Sequence, residues 1–268
     1  MCNVQKVASK KGIKIKNSEE VGNINFNRKF QSQKLTLPKN MGFMYETHMH
    51  TMESSGCGRN TAEEQVYAYK ERGYTGIIIT DHFINGYSTC PRYGNVSWRE
   101  KVGYVVAGYL AAKDAGDNVG LDVFLGWEFT VKGSDLLTYG LDIAFLLDNK
   151  DIDKLTVPQY SKVVRNNGGF LAQAHPYRDK PYIEHKFPVK PEFIDAIEVY
   201  NASDEIYSTN RANEKADMFA KKHNMPIQAG GDSHGVNDPP SGIILAKKAK
   251  NIYDIINAIK NKEVSLII

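Results

Sequence analysis

Short apolar runs that end in an acid or an imidazole, separated by helical segments, constrain this 268-residue chain more than any other feature of its sequence. The first is Glu46-Thr47-His48-Met49-His50-Thr51, behind Phe43, Met44 and Tyr45, which reads as the end of a β-strand. Successive strand side chains alternate faces, so His48 and His50 point the same way. Gly76–Thr80 is a β-branched run suited to a strand buried on both faces, and it delivers Asp81 and His82. Val123–Trp127 delivers Glu128, Phe170–Ala174 delivers His175, Ala196–Tyr200 delivers Asn201, and Pro226–Gly230 delivers Asp232 and His234. The Pro that follows His175 is expected to hold it extended.

Helical text lies between these runs. Thr61-Ala-Glu-Glu64 is a capping-box pattern opening a helix that runs to Arg72 and stops at Gly73. After a polar loop from Phe83 to Ser97, Val102, Val105, Val106, Tyr109 and Leu110 form one helical face, which reads as core. Further helices are expected over Pro158–Asn166, Arg211–His223 and Ile252–Lys260, with extended text at Leu136–Leu147 (broken at Gly140), Gly242–Leu245 and Val264–Ile268. Such alternation implies an α/β fold with a parallel sheet, and so many units imply closure into a barrel.

Residues 1–41 stand apart as an N-terminal basic extension carrying Lys6, Lys10, Lys11, Lys14 and Lys16, with a short strand expected at Gly12–Lys16; the domain proper is expected over 42–268. A net charge of +3, concentrated in that arm and the last helix, is too small to argue for nucleic acid. Three unpatterned cysteines (Cys2, Cys57 and Cys90) argue against a disulfide framework and for a reducing, cytoplasmic setting. No run approaches the length of a membrane span, and no apolar segment follows the basic N-terminus.

Of the 7 histidines, His48, His50, His82, His175 and His234 fall at strand ends, as do Asp81, Glu128 and Asp232. His185 and His223 lie elsewhere, and His223 beside Lys221 and Lys222 suits a helix C-terminus. In parallel α/β folds the C-terminal rim of the strands is where sites are built. Mixed imidazole and carboxylate donors suit Zn²⁺, Mn²⁺ or Fe²⁺, and they are too many for one ion. Glu128 or Asp232 is the natural bridge between two.

The ordered fragments His48-Met-His50-Thr51, Thr80-Asp81-His82, Gly126-Trp-Glu128, Ala174-His175-Pro176, Ile197-Glu-Val-Tyr-Asn201 and Gly231-Asp-Ser-His234 resemble those of the PHP (polymerase and histidinol phosphatase) family of metal-dependent phosphoesterases. The resemblance implies a distorted (β/α)7 barrel of PHP type, with the active site at the C-terminal ends of the strands. It implies two or three divalent metal ions (Zn, Mn or Fe). His48, His50, Glu128 and Asp232 would hold the first, Glu128 and His175 the second, and His82 and His234 a third. Two positions depart from the pattern. Where the family carries Asp or His after the first motif, this chain has Ser54-Ser55-Gly56-Cys57, so that Cys57 is a soft ligand or the third site is weak or vacant. Where the family often has a second-metal His, Asp135 stands after Gly133, as a ligand or a turn residue.

Asp81 reads as a ligand or as an acceptor orienting an imidazole, Glu198 as support for the rim, and Asn201 as a turn former or a substrate contact. Arg178 is the favoured phosphate clamp, with Arg92 and Arg99 behind it. His82, His234 or a metal-bound water would be the leaving-group acid. The function implied is hydrolysis of a small-molecule phosphate ester (a mono- or diester, metabolite or nucleotide) by a metal-activated hydroxide. Hydrolysis of a non-phosphate bond and a non-catalytic scaffold are the alternatives. No membrane or nucleic-acid partner is expected. The Tyr87–Trp98 loop is expected to lie over the site and set specificity.

Overall fold

In a computed structural model the described residues are 42–268, apart from Tyr182, His185 and Thr209. The basic extension, its expected strand at Gly12–Lys16 and His185 therefore lie outside them. The strands are β1 (Phe43–Met49), β2 (Gly76–Ile79), β3 (Asp122–Val131), β4 (Ser134–Tyr139), β5 (Phe170–Gln173), β6 (Ala196–Asn201), β7 (Ile227–Gly230), β8 (Gly242–Leu245) and β9 (Ser265–Ile267). The helices are α1 (Ala62–Glu71), α2 (Trp98–Val119), α3 (Ile143–Asp148), α4 (Val157–Asn166), α5 (Ala202–Tyr207), α6 (Ala212–Lys222) and α7 (Ile252–Lys260). No helix among the described residues is long and apolar enough to cross a membrane.

The strands form one sheet in the order β7-β6-β5-β4-β3-β2-β1-β8-β9. It curls into a nearly closed barrel. β1, β2 and β3 pair in parallel, as do β5, β6 and β7. β4 runs against both β3 and β5, and β8 runs against both β1 and β9, so the sheet is mixed where seven parallel units were expected. Backbone pairing across the seam between β7 and β1 lies past the end of β7, at a Met49–Ser233 bridge, while within β7 the Ala229 carbonyl accepts the Thr47 hydroxyl at 2.7 Å. At the bridge the His50 N–H donates to the Ser233 carbonyl at 2.8 Å and the Ser233 N–H to that of His48 at 3.2 Å.

Local chemistry accounts for most of these boundaries. Thr61 and Glu64 cap α1 reciprocally, as Ser97 and Glu100 cap α2. α2 buries Val102, Val105 and Val106, while Leu110 is exposed. β3 continues past Glu128, because after the parallel His82–Glu128 bridge it folds back on β4 through Lys132 (φ 51°) and Gly133 (φ 83°). A two-residue turn with both φ positive matches the twist of a hairpin, and glycine takes that geometry without strain. Leu136–Leu147 is not extended throughout: Asp142 accepts from the Phe145 N–H and starts α3. α5 had no counterpart in the sequence reading; the Asn201 side chain caps it by accepting from Asp204. The apolar floor under the rim includes fully buried Trp127, whose Nε1–H donates to Tyr160 Oη at 2.7 Å, and Phe129, stacked 3.6 Å from the Tyr160 ring.

Candidate metal centre

Glu46, His48 and His50 share one face at the end of β1, all fully buried. Glu128 reaches them from within β3, His175 from the turn after β5, and Asp232 and His234 from the turn after β7. His175 (φ 28°) and Asp232 (φ 50°) occupy the left-handed backbone region, so Pro176 does not keep His175 extended. A non-glycine residue held there costs about 1–3 kcal/mol, which the surroundings must offset. The His175 N–H does so in part by donating to Glu198 Oε2 at 2.9 Å.

Three imidazoles have their tautomers set from behind. His48 Nδ1–H donates to Glu198 Oε1 at 2.9 Å. Ser55 Oγ donates to Asp81 Oδ1 at 2.6 Å, so its lone pairs accept His50 Nδ1–H at 3.2 Å and the His82 N–H at 3.0 Å. His234 Nδ1–H donates to the Asp232 carbonyl at 2.7 Å. Each ring then turns Nε2 toward the rim, free to ligate once it carries no proton. His48 Nε2 and His50 Nε2 face each other at 3.1 Å, and both lie beside Asp232 Oδ1, at 3.4 and 3.1 Å. Two nitrogens at that distance need a positive charge between them, either the proton of a hydrogen bond from His48, on which protonation is favoured, or a metal cation.

Two overlapping donor sets follow, His48–His50–Asp232 and His48–Glu128–His175, in each of which the ligand atoms lie within 4.8 Å of one another. A third comprises His50, Cys57, His82 and His234. Asp135 stands with Oδ2 3.9 Å from His175 Nε2, and its buried Oδ1 has no hydrogen-bond partner, as suits an oxygen awaiting a cation. The donor types and their unsatisfied atoms fit divalent metal ions.

The electrostatics agree. Burial pushes Glu128 and Asp232 toward the neutral form, but His82 beside Glu128, and Arg178 and His48 beside Asp232, hold both well below the usual carboxylate range. Burial and the neighbouring His82 and His234 push His50 down to about 3, leaving a neutral ring able to ligate. Burial disfavours charge on His48 as well, but Glu198 and Asp232 outweigh it. Burial would raise the Cys57 thiol, yet hydrogen bonds with His234 and His82 bring it below its ordinary value. Burial pushes Asp81 up to about 6.

Asp81 belongs to none of the three donor sets. Its Oδ1 also accepts the Thr51 N–H at 2.6 Å and its Oδ2 the Thr51 hydroxyl at 2.7 Å, which makes it an orienting acceptor. Arg178 is not a free clamp: Nε donates to Asp204 at 2.6 Å, and Nη2 to Asp232 Oδ2 at 2.6 Å and Asn201 Oδ1 at 3.2 Å. Asn201 also donates to Glu198 Oε2 at 2.9 Å, so its side chain joins two supports. Trp98 starts α2 rather than covering the rim, its indole N–H donating to the Leu146 carbonyl at 2.7 Å. Glu46 had no assigned role. It accepts the backbone N–H groups of Thr47, His48 and Gly231 on Oε1, and Tyr69 Oη–H and the Ser241 N–H on Oε2, tying β1 to the turn after β7. Its place two residues before His48 on the same strand face was the available signal.

No protein-family model matches the sequence, and no curated protein does. Among solved structures, the chain is similar to a two-domain protein from Bacteroides vulgatus containing a predicted PHP-like metal-dependent phosphoesterase. The TM-score is 0.60 at 14% identity, covering 84% of this chain and 64% of that one. It is also similar to the lesion-specific endonuclease EndoQ from Pyrococcus furiosus, with a TM-score of 0.52 at 13% identity over 84% of this chain and 58% of that one. A third similar structure is Endonuclease Q in complex with a 27-mer duplex substrate bearing an abasic lesion, with a TM-score of 0.53 at 13% identity over 82% and 57%. The chain thus spans less than two thirds of each of these proteins, and what it shares with them is the fold.

Proposed function

We propose that this PHP-fold chain is a metal-dependent phosphoesterase, hydrolysing a phosphate ester at the barrel rim. The observation that carries this reading is that the His48–His50–Asp232 and His48–Glu128–His175 sets adjoin, with the Glu128 carboxylate 3.4 Å from His48 Nε2, 3.6 Å from His50 Nε2 and 3.2 Å from His175 Nε2, in reach of both. In this reading His48, His50, Glu128 and Asp232 hold one divalent cation, and Glu128, His175 and Asp135 a second, with Zn²⁺, Mn²⁺ and Fe²⁺ the candidates. Cations bound there would acidify a water and neutralise charge on the phosphoryl oxygens.

The chain's own groups supply orientation. Glu198 and Ser55 keep a proton on Nδ1 of His48 and His50, so that Nε2 faces the reaction. Arg178, with Asp204 behind it, holds Asp232 ionised and in place, which makes it a positioning residue. His82 and His234 are the more open of the rim imidazoles, their side chains 16% and 18% exposed, and border the side from which a leaving group departs. Beyond His82, which packs against Gly86, an open cavity of about 430 Å³ is lined in part by Asn85, Arg92, Asn95 and Lys101. Its size suits a metabolite or nucleotide, and Arg92 and Lys101, against the one carboxylate of Asp153, favour a phosphorylated one. Because one fold neighbour is an endonuclease solved with a DNA duplex, DNA belongs among the substrates to be tried.

The test is phosphate or product release by Mn²⁺- or Zn²⁺-reconstituted protein across phosphate monoesters, diesters and lesion-bearing duplex DNA, with His50→Ala as control. Turnover of at least one class, abolished in His50→Ala, is expected. Silence across the panel with metal bound would replace this reading by hydrolysis of a non-phosphate bond. Silence without retained metal would leave the scaffold reading.

A further inference from the structure

Glu198 is buried and belongs to none of the donor sets at the rim. Its two oxygens nevertheless divide between ligands of the two proposed cations. Oε1 accepts His48 Nδ1–H at 2.9 Å, and His48 would hold the first cation. Oε2 accepts the His175 N–H at 2.9 Å, and His175 would hold the second. Oε2 also accepts Asn201 Nδ2–H at 2.9 Å. The Asn201 side-chain oxygen in turn accepts from Arg178 Nη2 at 3.2 Å, and the same nitrogen donates to Asp232 at 2.6 Å. One carboxylate on β6 thereby stands behind ligands carried by β1, by the turn after β5 and by the turn after β7.

The backbone is shaped around this arrangement at two places. A Cβ on Gly230 would lie 2.5 Å from Glu198 Oε1 and 2.5 Å from His48 Cβ, so a side chain at that point of β7 would separate the pair. The β6–β7 register also shifts between Glu198 and Tyr200. In a regular strand residues three apart face opposite sides, and Asn201 would turn away from Glu198; the irregularity re-aims it.

We propose that Glu198 is the positioning residue for double occupancy, holding the ligands of both cations at once. The inference rests on the rim being a metal centre. Three N–H donors converge on two oxygens, and only a carboxylate accepts from all of them. Glutamine has the same shape but one oxygen and an NH₂ donor. With that NH₂ toward His48, the ring must accept at Nδ1 and carry its proton on Nε2, which closes the nitrogen that faces the rim. With it toward His175 and Asn201, donor meets donor, and the left-handed turn at His175 loses the bond that helps to offset its strain. Either orientation removes one cation and spares the other.

After Zn²⁺ loading and desalting, Glu198→Gln is expected to retain one equivalent less than the unsubstituted chain, with circular dichroism unchanged. Two Mn²⁺ ions sharing the Glu128 carboxylate are spin-coupled, and electron paramagnetic resonance separates them from an isolated Mn²⁺. The coupled spectrum is expected from the unsubstituted chain and not from Glu198→Gln, a distinction that a general loss of stability would not produce. NMR of the imidazole nitrogens tests the same point without a substitution: His48 Nδ1 is expected to keep its proton both without metal and with Zn²⁺ bound. A folded Glu198→Gln that keeps the coupled pair or loses all metal, or a His48 Nδ1 without its proton, would overturn the proposal and leave the metal-centre reading intact. So would a single uncoupled ion in the unsubstituted chain. Failure of the unsubstituted chain to bind Zn²⁺ or Mn²⁺ at all would overturn the two together.

Discussion

His50 depends on an atom that stands behind it, away from the rim. Its Nδ1 faces Ser55 Oγ at 3.2 Å, and the same hydroxyl donates to Asp81 at 2.6 Å and accepts the His82 N–H at 3.0 Å. Removing that oxygen leaves Nδ1–H of a fully buried ring without an acceptor, at about 1–3 kcal/mol, and frees the ring to turn its other tautomer to the rim. Loss of such an outer partner typically lowers metal affinity 10–100-fold. Ser55→Ala is therefore expected to fold, and to bind Zn²⁺ or Mn²⁺ roughly 10–100-fold more weakly in competition with a chelator. Unchanged affinity would mean that the Asp81–Ser55–His50 chain does not set the tautomer. Glu198 stands in the same relation to His48, and the backbone carbonyl of Asp232 to His234. The support of each ring comes from a different distance along the chain, which is why the candidate ligands stand out in the sequence and most of their partners do not.

α2 crosses the Asp81–Thr51 pair closely enough that a glycine is required where they meet. A Cβ on Gly108 would lie 2.0 Å from Thr51 Oγ1 and 2.3 Å from Asp81 Oδ2. Alanine gains about 1 kcal/mol of helix propensity over glycine. Overpacking against two fixed oxygens costs about 1–3 kcal/mol and also disturbs the bonds that place Asp81, so the clash wins. Gly108→Ala is expected to lower the urea midpoint and to weaken metal binding together; a raised midpoint would show that the helix simply shifts. In the sequence this glycine sits beside the apolar stripe of α2 without a sign of its purpose. The capping box at Thr61 and the buried run of β2 depend on a few adjacent residues and are legible, whereas Ser97 reads only as a loop end and its capping box emerges from the structure. Strand direction is not a local property: nothing in Ser134–Tyr139 or Gly242–Leu245 says that β4 and β8 run against their neighbours. α3 was read as extended because six residues, Ile143–Asp148, are too few to establish a helical period.

The barrel comes nearest to closing at the place where the candidate ligands gather. β1 and β7 share no continuous ladder; the Met49–Ser233 bridge and the bonds to Glu46 join them. His48 and His50 come from one side of that seam, and Asp232 and His234 from the other. A cation held by His48, His50 and Asp232 would therefore fasten the seam, in place of the contacts of the two imidazoles with Asp232 that otherwise cross it. Ligand binding to the folded state alone stabilises it by RT ln(1 + [L]/Kd), about 2.7 kcal/mol at a hundredfold excess over Kd. For a domain of this size each kcal/mol moves Tm by about 2–4 °C, so chelation is expected to lower Tm by roughly 5–11 °C. The loss should be local as well as global. Amide exchange at His50 and Ser233, which donate across the seam, should accelerate on chelation well before that at Ile78 in the β2–β3 ladder. Equal acceleration at all three, or none, would mean that the cations sit within one wall of the barrel and do not join its edges.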